Sequence, residues 1–446
     1  MSAFRECLTG SIVLALGLGC AQAPAPEPVP MTVTPPVAVV DTPTTPTFDR
    51  TKPPELPAPS PLRLPPVVRR QFDNGLEIFV VEHHELPVVD MIVVVKTGGE
   101  GDPANKPGVA TLTAAMLDEG AGRRNALDIA DQEAFLGVQI GTGSGWDVST
   151  VSLHAPVAVL DSAMALFADV ALRPTFPTTD LERLRKERLT ELLQLKDRAP
   201  QIADRAYASI LYGEKHPYGR PLTGTEASTR AITRRDVQRF YQTFYRPNNA
   251  TLIVVGDVTP DDVERRVREL FAGWTRAEVP STQFTEPPAG LATAIYLIDK
   301  PGAPQSSVRI GSIGVPRSTN DYFAILVMNT ILGGAFTSRL NTNLRETHGY
   351  TYGAGSSFSM RRSAGPFTAR AEVVGAKSDS SLIEFMKELR AIRDTVPGSE
   401  LEKAKRYLQL QLPGEFETTG EQNLVTLRLV FDAYESARSG QAVRRS

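Results

Sequence analysis

The chain has 446 residues, 41% hydrophobic and 22% charged, which is ordinary globular material and long enough for two domains with real cores. A net charge of -3 with mixed signs gives no field for polyanions, and the DNA and RNA module signatures are missing, so nucleic acid is excluded as a partner. Its two cysteines, Cys7 and Cys20, leave the body without a disulfide framework or a thiolate metal site.

The N-terminus explains both cysteines. Arg5 precedes the apolar run SIVLALGLG, which has the length of a secretory core, is too short to cross a bilayer as a helix, and ends at Gly19-Cys20. LGLGC resembles a bacterial lipoprotein signal cut before a cysteine that becomes lipidated, although Gly17 stands where a leucine is expected; a plain secretory signal cut nearby is the alternative. Either reading places the protein outside the cytoplasm. The expectation is a cell-envelope lipoprotein, outer-membrane or periplasmic, held to the membrane through Cys20. Residues 1–20 are then the signal. Residues 21–66, about a third of them proline, form an extended tether with no packed core.

After the tether, GLEIFVVEH (75–83) and VVDMIVVVKTG (88–98) read as two strands joined as a hairpin through HELP. His83 and His84 are adjacent on an extended chain and point to opposite faces, so they read as a solvated turn and not as metal ligands. Helical patterns follow at 106–117 and 125–136, the second capped by Asn125. GTGSG (141–145) lacks the Lys-Ser/Thr pair of a phosphate loop and reads as a strand entry. Strand alternation in SGWDVSTVSLHAP gives way to helices at 157–172 and 179–196. A helix opened by Thr233, the strand ATLIVVGDV and a helix from TPDDVERRV to Trp274 complete a lobe over 67–274, and 275–292 reads as a linker.

Residues 293–446 replay that order. PTTDLERLRKERL from Pro177 and PGSELEKAKRYLQ from Pro397 share a proline, a capping position, Leu-Glu and a basic register at an offset of 220 residues. Strand TAIYLID, strand SSVRIGSIG, helix DYFAILVMNTILGG and strand GPFTARAEVVG recur in the earlier sequence of elements, which marks a duplicated domain. The same offset applied to Asp257 passes Ser446, so the second copy is expected to lack its final strand and helix, with SARSGQAVRRS as a frayed tail. The fold class is α+β, with two homologous lobes, each a mostly antiparallel sheet covered by helices.

NGLEIFVVE, PGVATLTAAMLDEG, HPYGRPLTGT, FYRPNNATLIVVGDV, LGGAFTSRL and NLRETHGYTYG, in this order from about Gln71 onward, resemble the insulinase and mitochondrial-processing-peptidase family of zinc peptidases. Active members carry H-x-x-E-H on a helix, which brings two histidines to one face to grip zinc with the glutamate as general base. Here the matching positions are Thr111, Ala114 and Ala115, which offer no zinc ligand and no proton acceptor. Glu191 matches the family's third ligand but, without histidine partners, reads as a solvated helix carboxylate.

The family also uses an arginine and a tyrosine seven residues apart in the C-terminal lobe, and Arg345 and Tyr352 match that spacing. A guanidinium and a phenol hydroxyl suit the binding of a peptide carbonyl and of the oxyanion formed from it; Arg339 and His348 are read as structural. The resemblance implies a non-metal-binding subunit, inactive alone, that lends Arg345 and Tyr352 to a homologous zinc-bearing partner for cleavage of unstructured peptides. No cofactor is expected in this chain, and zinc is expected in the partner. The other reading is a lipid-anchored pseudopeptidase that binds peptides or acts as a scaffold without hydrolysis. A self-sufficient zinc peptidase would need stoichiometric metal in this chain alone.

Overall fold

The computed structural model describes residues 65–282, 284–285 and 293–416. Cys7, Cys20, nearly all of the proline-rich segment and residues 417–446 lie outside them. The expectations for the signal, the tether and the final tail therefore fall beyond the described residues.

The first lobe is built on a six-stranded sheet. Its strands are β1 (Val67–Gln71), β2 (Glu77–Glu82), β3 (Val88–Val95), β6 (Gln139–Ser144), β7 (Ser149–Pro156) and β8 (Ala250–Gly256), in spatial order β1-β2-β8-β3-β7-β6. A small ladder, β4 (Gly120–Ala121) with β5 (Arg124–Asn125), stands apart. The helices are α1 (Val109–Ala115), α2 (Ala126–Leu136), α3 (Leu160–Leu172), α4 (Thr178–Leu195), α5 (Ala199–Tyr212), α6 (Glu226–Ala231), α7 (Arg234–Phe244) and α8 (Pro260–Leu270). Asn125 and Thr233 cap α2 and α7 as read from sequence, each in a reciprocal capping box with the aspartate three residues on.

One connection differs from expectation. β2 and β3 are not a hairpin: β8 lies between them, parallel to β2 and antiparallel to β3. The apolar run ATLIVVG takes the centre of the sheet, with Ala250, Leu252 and Val254 in the core, and a strand buried this way needs a partner on both edges. The glycines of GTGSG lie largely within β6 itself. His83 and His84 are exposed or nearly so, and His84 Nδ1 lies 2.7 Å from Asp257 Oδ1.

Alternation decides which face is buried. Ile78, Val80, Met91, Val93, Val151, Leu153, Leu252 and Val254 meet α1 and α3 in the main core, where Leu112, Met164, Leu166 and Phe167 are completely or almost completely enclosed. The intervening residues, among them Ile92, Val94, Ser152, Ile253 and Val255, point to the opposite face.

The second lobe has three described strands, β9 (Gln305–Ile313), β10 (Thr351–Phe358) and β11 (Pro366–Val374), in the order β10-β11-β9. Its helices are α9 (Tyr322–Asn329), α10 (Arg339–Asn341), α11 (Ser378–Ala391) and α12 (Gly398–Phe416), with π-helical turns at Thr330–Gly334 and Thr342–Thr347. Leu332, Leu340, Leu344, Ala369, Val373 and Phe385 make its core. The expected strand TAIYLID does not form, and Leu297 is 94% exposed. The first lobe supplies the reason. Its corresponding strand, β2, is joined to β3 only through β8, so without a described β8 equivalent β9 offers this segment no neighbour.

The lobes interlock. α5 crosses the face of the second sheet that points away from that lobe's own helices: Tyr207 Oη donates to the Phe367 carbonyl, and Asp204 Oδ1 lies 2.5 Å from Arg309 Nε. In return the β10–β11 loop enters the first lobe, where the Arg361 guanidinium lies over the rings of Trp146, at 4.7 Å, and Tyr218, at 4.5 Å. Arg362 Nη1 lies 3.2 Å from Oε1 of the enclosed Glu100, and its Nη2 donates to Lys96 O at 2.6 Å.

Candidate functional site

Two local irregularities bring Arg345 and Tyr352 together. Arg345 sits on the π-helical turn Thr342–Thr347, which ends where Gly349 adopts φ 63° and its N–H bonds back to Arg345 O at 3.0 Å. Tyr352 lies in a bulge at the start of β10: Thr351 pairs with Val373 and Ala354 with Ala371, so the β10 side holds one residue more. Thr351 Oγ1 fixes the bulge by donating to Glu372 O at 2.7 Å and accepting from the Gly353 N–H at 3.2 Å.

The result is a stacked cation. Arg345 Cζ lies 5.2 Å from the Tyr352 ring centre and 4.6 Å from that of Phe336. Tyr352 is 88% and Phe336 67% exposed, so two aromatic rings stand in solvent with a guanidinium against both. Glu346 Oε1 is 3.5 Å from Arg345 Nε, at the outer limit of hydrogen bonding, which leaves guanidinium N–H groups for a ligand. Arg339, by contrast, gives two bonds to Glu400 Oε2, at 2.9 and 2.6 Å. His348 stacks on Tyr350, with ring centres 4.9 Å apart. Phe336 lies within LGGAFTSRL, where nothing in spacing alone aims it at Arg345.

α1 carries different chemistry. Thr111 Oγ1 donates to Gly108 O at 3.1 Å, Ala114 is buried, and Arg188 Nη1 donates to the same Gly108 carbonyl at 3.0 Å. Gly108 begins the helix at φ 97°, with Asp102 accepting from its N–H at 2.6 Å and from Ala110 N–H at 2.7 Å. Burial pushes Asp102 up to about 7, while those two N–H groups and then Arg220 and Arg188 pull it down. Burial likewise lowers the Arg188 pKa, with Glu191 and Asp102 opposing. The residues present do not fit zinc: two methyl groups, a hydroxyl already engaged and a neighbouring guanidinium give a divalent ion no donor set. Glu191, on α4, is exposed. Among the described residues no cluster of three or more His, Cys, Asp or Glu could hold a metal ion. Arg188 has no signal in the sequence and is recognisable only where α4 lies beside the start of α1.

The insulinase (peptidase family M16) model matches residues 78–226, and the peptidase M16 inactive domain model matches residues 231–408. A solved peptidase M16 inactive domain from Pseudomonas fluorescens is 30% identical and superposes with a TM-score of 0.74, over 80% of this chain and 88% of that one. A protease from Helicobacter pylori shares the fold at 19% identity and a TM-score of 0.75, over 85% and 92%. Among curated relatives, an uncharacterized zinc protease of Mycobacterium leprae is 28% identical over 346 residues, 76% of this chain and 75% of its own length. The periplasmic protease PqqL of Escherichia coli shares the fold at 18% identity and a TM-score of 0.64, over 87% of this chain and 44% of its own. With both family models in sequence order and a 30% identical relative across most of its length, the chain belongs to the insulinase-type M16 peptidase family.

Proposed function

We propose that this chain is the non-metal-binding subunit of a heterodimeric, cell-envelope zinc peptidase, and that it presents Arg345 and Tyr352 to peptides cleaved at the zinc of a homologous partner. The carrying observation is the half-buried Arg345 guanidinium against the exposed rings of Tyr352 and Phe336, on a chain whose α1 offers zinc no ligands. The aromatic faces hold the guanidinium in place and shield one side from water. Its outward N–H groups and the Tyr352 hydroxyl then act as donors to a peptide carbonyl, and they bind more strongly to the oxyanion that develops there. This chain orients and stabilises; the partner carries the hydrolytic step. Lipid attachment at Cys20 completes the reading.

The test mixes purified chain with a candidate partner carrying H-x-x-E-H and follows cleavage of an unstructured peptide. Arg345→Ala and Tyr352→Phe are each expected to lower kcat/KM roughly a hundredfold, about 2.7 kcal/mol, the scale of losing one oxyanion donor. Unchanged turnover in both variants removes the catalytic role. The exposure of Phe336 and Tyr352 also favours a second reading, a peptide-binding pseudopeptidase. In that case the same substitutions weaken peptide binding, and no partner supports cleavage.

A further inference from the structure

Three arginines from different elements converge on the start of α1. Arg188, on α4, donates from Nη1 to Gly108 O at 3.0 Å, the carbonyl that also accepts from Thr111 Oγ1. Arg205, on α5, donates from Nη2 to Thr223 Oγ1 at 3.3 Å, and Arg220 donates from Nη1 to Asp102 O at 3.3 Å. The loop that holds Arg220 and Thr223 presses on the helix start: a Cβ on Gly108 would lie 2.9 Å from the Thr223 carbonyl carbon, and Thr111 Oγ1 lies 3.4 Å from Leu222 O. The three guanidiniums therefore fasten to one patch of backbone.

Charge is out of balance at this patch. All three side chains are half-buried, and among the described residues their hydrogen bonds go to neutral carbonyl or hydroxyl oxygens and to no carboxylate. The neighbouring arginines of α4 behave differently, Arg183 pairing with Glu119 and Glu187 and Arg185 with Glu182. Arg220 Nε is enclosed and has no partner among the described residues. Asp102 spends its carboxylate on the Gly108 and Ala110 N–H groups, and burial keeps it partly protonated near neutral pH. Burial lowers the pKa of all three arginines, with Glu191 and Asp102 opposing at Arg188 and Asp102 at Arg220. Cations withdrawn from water without a counter-charge are costly, and a ligand that brings the missing negative charge relieves that cost. A planar guanidinium with free N–H groups matches the two oxygens of a carboxylate.

We propose that Arg188, Arg205 and Arg220 form a receptor for a carboxylate of a bound peptide, beside the helix whose positions 111, 114 and 115 carry no metal ligand. The inference rests on the peptide-binding reading given above and adds to it a preference for acidic peptides. The carboxylate comes from an Asp or Glu side chain or from the peptide's C-terminus, and the two sources are separable by experiment.

The test follows fluorescence anisotropy of labelled, unstructured peptides with the full chain. The peptides carry one internal Glu or Gln, each with a free or an amidated C-terminus. Loss of one kind of carboxylate is expected to weaken binding about tenfold, about 1.4 kcal/mol, and the kind that matters names the source. Arg188→Met and Arg205→Gln should each erase that preference and Arg205→Lys restore part of it, whereas Arg345→Ala should weaken all the peptides alike. If Arg188→Met does not fold, Arg205→Gln carries the same test, since its one described bond is to the Thr223 hydroxyl. Equal affinity for all the peptides overturns the carboxylate receptor. So does a preference that survives in an Arg205→Gln variant of native melting temperature, or tighter binding of a phosphoserine peptide than of the Glu peptide. Failure of every peptide to bind overturns the peptide-binding reading itself, and this inference with it.

Discussion

Arg362 fastens the second lobe's loop onto a buried carboxylate, and its removal should act through pH. Burial raises Glu100 from 4.5 to about 7, against the Gly98 N–H, which bonds its Oε2 at 2.8 Å, and against the Arg362 charge. The native state therefore holds a proton that the unfolded chain releases, so stability falls as pH rises from about 4.5 to about 7, by about 3 kcal/mol for a shift of this size. Arg362→Ala should cost about 2 kcal/mol at pH 5, where Glu100 is protonated and the loss is mainly the bonds to Lys96 O and Asp147 O. At pH 8 it should cost about 4 kcal/mol, because the carboxylate is left enclosed without its counter-charge. Urea unfolding of both proteins at the two pH values measures this, and a Glu100→Gln background should abolish the difference. An equal loss at pH 5 and pH 8 would refute the assigned role of Glu100.

Other predictions rest on separate parts of the molecule. Gly311→Val on β9 should lower stability by about 2 kcal/mol or more in thermal melting, since any Cβ there collides with Tyr207 Oη and the Phe367 carbonyl. His216 sits among the rings of Tyr212, Tyr218 and Phe284, and burial first, then Arg220 and Arg361, lowers its pKa below 6.5. The unfolded chain therefore takes up the extra proton, so this contribution to stability is complete above pH 6.5 and is lost as pH falls. His216→Asn should show a smaller drop in melting temperature between pH 7.5 and pH 5 than the wild type. Thr111→His, Ala114→Glu and Ala115→His together should create only a weak zinc site, because Arg188 donates to the same Gly108 carbonyl as Thr111. Adding Arg188→Met should tighten zinc about tenfold by relieving like-charge repulsion, as read by chelator competition.

Much of the architecture was legible in the sequence because it rests on local signals. Alternation in VVDMIVVV, the Asn125 and Thr233 caps and the Pro177/Pro397 repeat each constrain their own neighbourhood. The pairing of β2 with β8 was not legible, since it joins residues more than 160 positions apart and HELP looked like a hairpin turn. TAIYLID has strand composition, yet a strand needs an edge to join, and that condition lies outside the segment. The proximity of Arg345 to Tyr352 came from a resemblance. The stacking on Phe336, the bulge that turns Tyr352 outward and the guanidinium of Arg188 beside α1 are tertiary facts with no signal in spacing.

Because α5 precedes β8 in the chain yet rests on β9 and β11, the unit that was duplicated is not the unit that folds cooperatively. A fragment beginning at residue 293 would leave Arg309 with neither Asp204 nor the Pro200 carbonyl and would strip Tyr207 from Gly311. Attempts to express either half by itself should therefore yield sticky, partly ordered material, and limited proteolysis should release the halves together rather than one after the other.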